Sequence, residues 1–226
     1  MKKLFIGLVS ASMLTAASAA SAQTVNFNSA TNPVGTTHTY NTTAGNVVAT
    51  GFSAPDVQVG LYSKSGGGDE NGIGLVNDPS NQNEISDAGA TWSAAGAPGG
   101  SFIQLDLSGL NPGTMVSFLM GSTTAGEGWQ VMGTNDRGCA TLGVGCGTAI
   151  ANGTGEGVYT SIGVPTFQFY DFYATGTSNG NPSNVLLGSL LLAVPEPSTW
   201  AMMLIGFGAI GFAARRSRKV ALAQLA

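Results

Sequence analysis

Residues 101–121 read SFIQLDLSGLNPGTMVSFLMG, and this stretch decides the fold. Apolar Phe102, Ile103, Leu105 and Leu107 are interleaved with polar neighbours. The run then ends in Ser-Gly-Leu-Asn-Pro-Gly, and the apolar residues of MVSFLM follow at once. Alternation with a period of two marks a strand with one buried face, and clustered Gly, Pro and Asn supply the dihedral angles of a turn. The stretch therefore reads as strand, turn, strand.

The same pattern continues in both directions. DVQVGLYS (56–63) alternates with Val57, Val59 and Leu61 on one predicted face. GWQVMGT (128–134), VPTFQFYDFYAT (164–175) and SNVLLGSLLLAV (183–194) are further short runs between Gly- and Asn-rich turns. Helical periodicity is almost absent from 23 to 193, because Gly, Pro, Asn and Thr interrupt nearly every window. Many strands without intervening helices predict an all-β fold of two packed antiparallel sheets, a β-sandwich or jelly roll. There is no fixed repeat of the kind a solenoid needs. Val116, Phe118, Phe167, Phe169 and Tyr170 are expected as core or cross-strand residues, since aromatics stabilise sheets by ordinary packing.

The ends of the chain have a different character. MKKLFIGLVSASMLTAASAASAQ has a basic start at Lys2 and Lys3, an apolar stretch from Leu4 to Leu14, and an A-x-A site at Ala20-Ser21-Ala22. This is the pattern of a secretory signal peptide over residues 1–22, with cleavage between Ala22 and Gln23. Removing it, and the tail from Val194, leaves a domain at 23–193 that is long enough for one core. That domain holds two basic residues, Lys64 and Arg137, against eleven acidic ones, a formal charge of −9. Two cations cannot neutralise a row of phosphates, so nucleic acid is excluded as a partner.

Cys139 and Cys146 are the only cysteines. In an oxidising compartment such a close pair is expected to form one disulfide that closes a small loop. His38 is the only histidine. A His-rich zinc site and a two-imidazole acid–base system are thereby removed, and His38 reads as a surface residue. No G-x-S-x-G elbow is present, and GVGCGT and GTGEG lack the Lys-Ser/Thr of a phosphate loop. The many carboxylates offer no basis for choosing the pair that a glycoside hydrolase needs.

The richest internal motif is KSGGGDENGIGLVNDPSNQNEIS, residues 64–86. Asp69, Glu70, Asn71, Asp78 and Glu84 place hard oxygen donors on a Gly-rich loop, which makes them a candidate Ca²⁺ site. The spacing does not match an EF-hand, and the same residue types also build solvated tight turns.

The tail VPEPSTWAMMLIGFGAIGFAARRSRK, residues 194–219, carries a Pro-Glu-Pro corner, an uncharged stretch from Trp200 to Ala214, and Arg215, Arg216, Arg218 and Lys219. Fifteen residues make about 22 Å of helix, short for a ~30 Å hydrocarbon core. The interfacial Trp200 and the basic stop nevertheless predict a single transmembrane helix with its basic end in the cytoplasm. Pro195 and Pro197 hold the preceding chain extended.

In this order, Pro195-Glu196-Pro197, Trp200-Ala201, the Gly-spaced apolar stretch and the basic cluster resemble the PEP-CTERM sorting signal in its PEPxxWA form. The tail departs from that pattern only by running on through VALAQLA, residues 220–226. The resemblance implies recognition of Pro195, Glu196, Pro197 and Trp200 by exosortase, a membrane-embedded transpeptidase-like enzyme of Gram-negative bacteria that make exopolysaccharide. It also implies retention by the basic cluster before cleavage. LYSKSGGGDENGIGLVNDPSNQNEI, FIQLDLSGL and GSTTAGEGWQVMGTN are in addition similar to a domain of certain PEP-CTERM proteins, which implies a β-sandwich and brings no catalytic residues.

The leading expectation is a non-enzymatic exported protein, structural or adhesive in the exopolysaccharide matrix. It would pass through the inner membrane to the cell surface and need no cofactor other than the candidate calcium. One alternative is a carbohydrate-binding module using Trp92, Trp129 and the acidic loop 69–84. Another is a carboxylate-based enzyme acting on polysaccharide. Ice binding stands last, because the threonines form no regular face.

Overall fold

Turn chemistry at short intervals divides the chain into strands in the computed structural model, which describes residues 22–68, 70–76, 83–86, 100–123, 126–139, 146–178, 181–194 and 203–212. Those up to the first Gly-rich loop are β1 (Ala22–Asn26), β2 (Thr37–Thr42), β3 (Gly45–Ala54), β4 (Val57–Val59) and β5 (Leu61–Ser65). β6 (Asn71–Leu75), β7 (Ile85–Ser86), β8 (Phe102–Asp106), β9 (Met115–Gly121) and β10 (Glu127–Thr134) follow. The last are β11 (Thr148–Gly153), β12 (Thr160–Gly163), β13 (Phe169–Ser178), β14 (Asn181–Pro182) and β15 (Asn184–Ala193). All lie in one compact unit, Ala22–Val194. The second unit holds residues 1–21 and 195–226, of which one helix, α1 (203–212), is described.

Two antiparallel sheets result, as the alternation predicts. The first runs β12-β9-β15-β6-β5, with β1 and β7 also paired to β15, and the second runs β11-β10-β13-β8-β3-β2, with β14 on β13 and β4 on β3. Between them lies the main core, which includes Val47, Ile73, Leu105, Val116, Phe118, Val131, Phe172, Leu187 and Leu190. An edge strand presents unpaired backbone groups. At β5 the Asn32 side chain meets them, donating to Ser63 O at 2.7 Å and accepting from Ser63 N at 2.8 Å.

Two expectations are corrected. DVQVGLYS is not one strand: β4 pairs β3 in the second sheet and β5 pairs β6 in the first, with Gly60 between them. Val57 is accordingly 53% exposed while Leu61 is fully buried. In β8, Ile103 and Leu105 face the main core, but Phe102 faces the opposite side. There Phe52, Phe102 and Tyr173 form a row across β3, β8 and β13, with neighbouring ring centroids 4.9 and 5.0 Å apart. This second cluster also takes in Met132, Cys139 and Cys146, so the β8 strand is buried on both faces.

β15 organises the first sheet. β9 lies along one edge of it, β1 and β6 share the other, and β7 pairs its first two residues. Against β9 the register slips by one between Leu187 and Ser189, leaving Gly188 as the extra residue of a β-bulge. The slip changes which residues face inward. Val185 and Leu187 reach the core before it, Leu190 and Leu192 after it.

Candidate functional site

The Gly188 bulge opens a cleft of about 290 Å³. Asn26 at the end of β1, Asn28 in the 3₁₀ turn Phe27–Ser29, and Asn71 at the start of β6 line it together with Ser189. Leu119, Met120 and the backbone of four glycines complete the wall. Asn28 Nδ2 donates to Asn71 Oδ1 at 3.5 Å, and Asn71 Nδ2 donates to Gly68 O at 2.7 Å. Ser189 Oγ and the Tyr159 hydroxyl are 2.8 Å apart.

Of the five donors in the expected calcium loop, Asp69 and Asp78 lie outside the described residues. Glu70 and Glu84 are brought together, and both form ion pairs with Lys64. The Ser122 hydroxyl donates to Glu70 Oε1 at 2.8 Å and to Glu84 Oε1 at 3.0 Å. Asn71 turns instead to Gly68 and the cleft. Hydrogen bonding to Lys64 holds the half-exposed Glu70 carboxyl below its usual range. Burial pushes Glu84 up and outweighs the help of the same lysine. For Lys64 burial is the largest single influence and pulls down, but the two glutamates together raise it.

The expected disulfide is formed: Cys139 and Cys146 are bonded, with Cα atoms 5.6 Å apart. Beneath it Asp171 is fully buried, its Oδ2 3.4 Å from Cys139 Sγ and 3.6 Å from Cys146 Sγ. Gln104 holds this corner together. Its Nε2 donates to Asp171 Oδ1 at 2.8 Å and to Asp136 O at 3.3 Å, and its Oε1 accepts from Gly138 N at 3.0 Å. Gly138 sits at φ 63°, and a Cβ there would meet the Phe52 ring at 2.7 Å, so this turn requires glycine.

Trp129 is corrected as a sugar contact. It is 5% exposed in the main core, edge-on to Phe118 with centroids 5.2 Å apart, and its Nε1 donates to Gly155 O at 2.9 Å. Trp92 lies outside the described residues. His38 is on β2, at the edge of the second sheet, packed against Tyr40. Of the expected signal-cleavage pair, Ala22 opens β1 opposite Ala193, and Gln23 pairs with Leu192. Gln23 Oε1 also accepts from Thr43 N at 2.8 Å, so the sandwich uses the residue that would follow the cut.

At the other end, the ten residues 203–212 form α1, and Leu204, Ile205, Phe207, Ile210 and Phe212 on it are exposed. Among the described residues no helix is long and apolar enough to cross a membrane. Pro195, Glu196, Pro197 and Trp200 lie outside the described residues, as do Arg215, Arg216, Arg218, Lys219, the signal peptide proper and 220–226. For this segment comparison with known families is decisive, because residues 193–219 match the model of the PEP-CTERM protein-sorting motif.

The chain carries a PEP-CTERM protein-sorting motif. The motif marks an exported protein processed by exosortase. It begins at Ala193, the last residue of β15, and the compact unit ends one residue later at Val194. No curated protein and no solved structure matches the chain.

Sequence reading missed the cleft and the Gln104–Asp171 corner. Signals for the cleft were present. In TVNFNS the polar Asn26 and Asn28 alternate with Val25 and Phe27, and Gly188-Ser189 interrupts the apolar run VLL…LLLAV, with the glycine where bulge glycines occur.

Proposed function

We propose that the chain is a non-enzymatic β-sandwich protein of the cell envelope of a Gram-negative bacterium, structural or adhesive in the exopolysaccharide matrix. Its signal peptide directs export. The segment around α1 then holds it in the inner membrane, with Arg215, Arg216, Arg218 and Lys219 on the cytoplasmic side. A helix apolar all round suits lipid. Exosortase recognises Pro195, Glu196, Pro197 and Trp200, removes the tail, and releases the domain to the cell surface.

The observation that carries this reading is the position of the motif. It overlaps the compact unit only at Ala193 and Val194, so cleavage at or beyond Pro195 removes no strand and no core residue of the sandwich. Replacing Pro195, Glu196 and Pro197 together with alanine tests the route. The variant is expected to accumulate in the membrane fraction with its tail intact, while the parent chain is trimmed and leaves the membrane. Equal trimming and release of both would overturn the proposal.

A further inference from the structure

We infer that the cleft at the Gly188 bulge is a binding site for a neutral, hydroxyl-rich ligand, a segment of saccharide. This deepens the adhesive reading and rests on it only for the source of the ligand. The site itself is argued from its walls.

Three amide side chains, Asn26, Asn28 and Asn71, converge on the cleft with the Ser189 hydroxyl. An amide offers both donors and acceptors, as does each hydroxyl of a sugar, so the two sets match without charge. The partners already present leave capacity to spare. Asn71 Oδ1 receives a 3.5 Å contact from Asn28, and the Asn26 side chain is exposed. The Ser189 hydroxyl is held in place by that of Tyr159, 2.8 Å away. The walls stay open where side chains would otherwise intrude, because a Cβ on Gly68 or on Gly157 would meet nothing within 4 Å.

The volume, about 290 Å³, is at the small end of the range for ligand sites, roughly 300 Å³ and upward. Other ligand classes fit the walls poorly. Among the described residues no basic side chain lines the cleft, and Lys64 is engaged by Glu70 and Glu84, so an anion finds no counter-charge there. Among the described residues no carboxylate lines it either, which disfavours a hard cation, and the amides disfavour an apolar guest.

The test uses the full chain in a zwitterionic detergent, with maltotetraose and cellotetraose as neutral probes and trigalacturonate as the charged one. At least one neutral probe is expected to shift the side-chain amide NMR signals of Asn26, Asn28 and Asn71. Asn28→Ala and Asn26→Ala, both on partly or fully exposed side chains, are each expected to weaken that binding about tenfold, in line with the loss of one or two hydrogen bonds. Thr36→Ala, away from the cleft, is expected to bind as the parent does. The inference is overturned if neither neutral probe shifts these amides, if both Asn variants bind like the parent, or if trigalacturonate binds more tightly. Binding is read on the unprocessed chain, so failure here leaves the sorting route standing, and failure of tail processing leaves the cleft standing.

Discussion

Gln104 on β8 and Asp171 on β13 are direct cross-strand neighbours, and the Gln104 amide donates to the Asp171 carboxyl at 2.8 Å beneath the Cys139–Cys146 disulfide. Burial pushes the Asp171 carboxyl up to about 8; the Gln104 hydrogen bond offsets part of this, and the Asp136 charge adds to it. Its oxygen beside the sulfurs can therefore carry the proton.

A pH dependence follows. In the unfolded chain Asp171 ionises near pH ~3.9. Between that value and about 8 the folded state keeps a proton that the unfolded state has lost. Stability should thus fall as pH rises through this window and level off above it. Asp171→Asn is expected to flatten most of the slope and to unfold at a higher temperature than the parent at pH 8.5. Thermal unfolding from pH 4 to 9 measures both; an unchanged slope would reassign the dependence to other groups.

The disulfide closes a short loop, and its two cysteines belong to the cluster of Phe52, Phe102 and Tyr173. For so small a loop the chain-entropy account gives about 2–3 kcal/mol of stabilisation. Cys139→Ser with Cys146→Ser is expected to lower the urea midpoint accordingly. Loss of packing over Phe102, which is fully buried, should also make the second cluster accessible to hydrophobic dye before the main core unfolds.

Lys64→Met leaves Glu70 and the buried Glu84 facing each other without their cation. Breaking a buried pair costs about 3–5 kcal/mol, and the partial exposure of Lys64 and Glu70 places this one at the low end. The loss is expected near neutral pH and should shrink on acidification, as the raised Glu84 takes up a proton. A calcium ion held by the same carboxylates would have to compete with Lys64. In the Met variant millimolar Ca²⁺ is expected to restore melting temperature, and no shift there would remove the loop as a calcium site.

How far the sequence reveals this molecule depends on the range of each interaction. Strand alternation is local, so the sandwich was legible from runs such as MVSFLM, whose Val116, Phe118 and Met120 are all buried. The disulfide was legible too, because its two partners lie seven positions apart. Gly60 was not legible as a crossing between sheets, since DVQVGLYS keeps its period of two through the break. Phe102 joined the wrong face because β8 is covered on both sides, and double burial erases the polar alternation that would have separated it from Ile103. The cleft draws Asn26, Asn71 and Ser189 from three strands far apart in the chain, a convergence that only the pairing of β15 with its neighbours creates.

The sandwich is expected to be delivered by a tail it does not keep. Intact-mass measurement of the protein recovered from the surface of its own cells addresses this most directly. The account predicts a mature chain that starts near Gln23 and loses the apolar and basic segments after Pro197. A recovered chain that still carries residues 203–219 would contradict it and make the tail a permanent part of the protein.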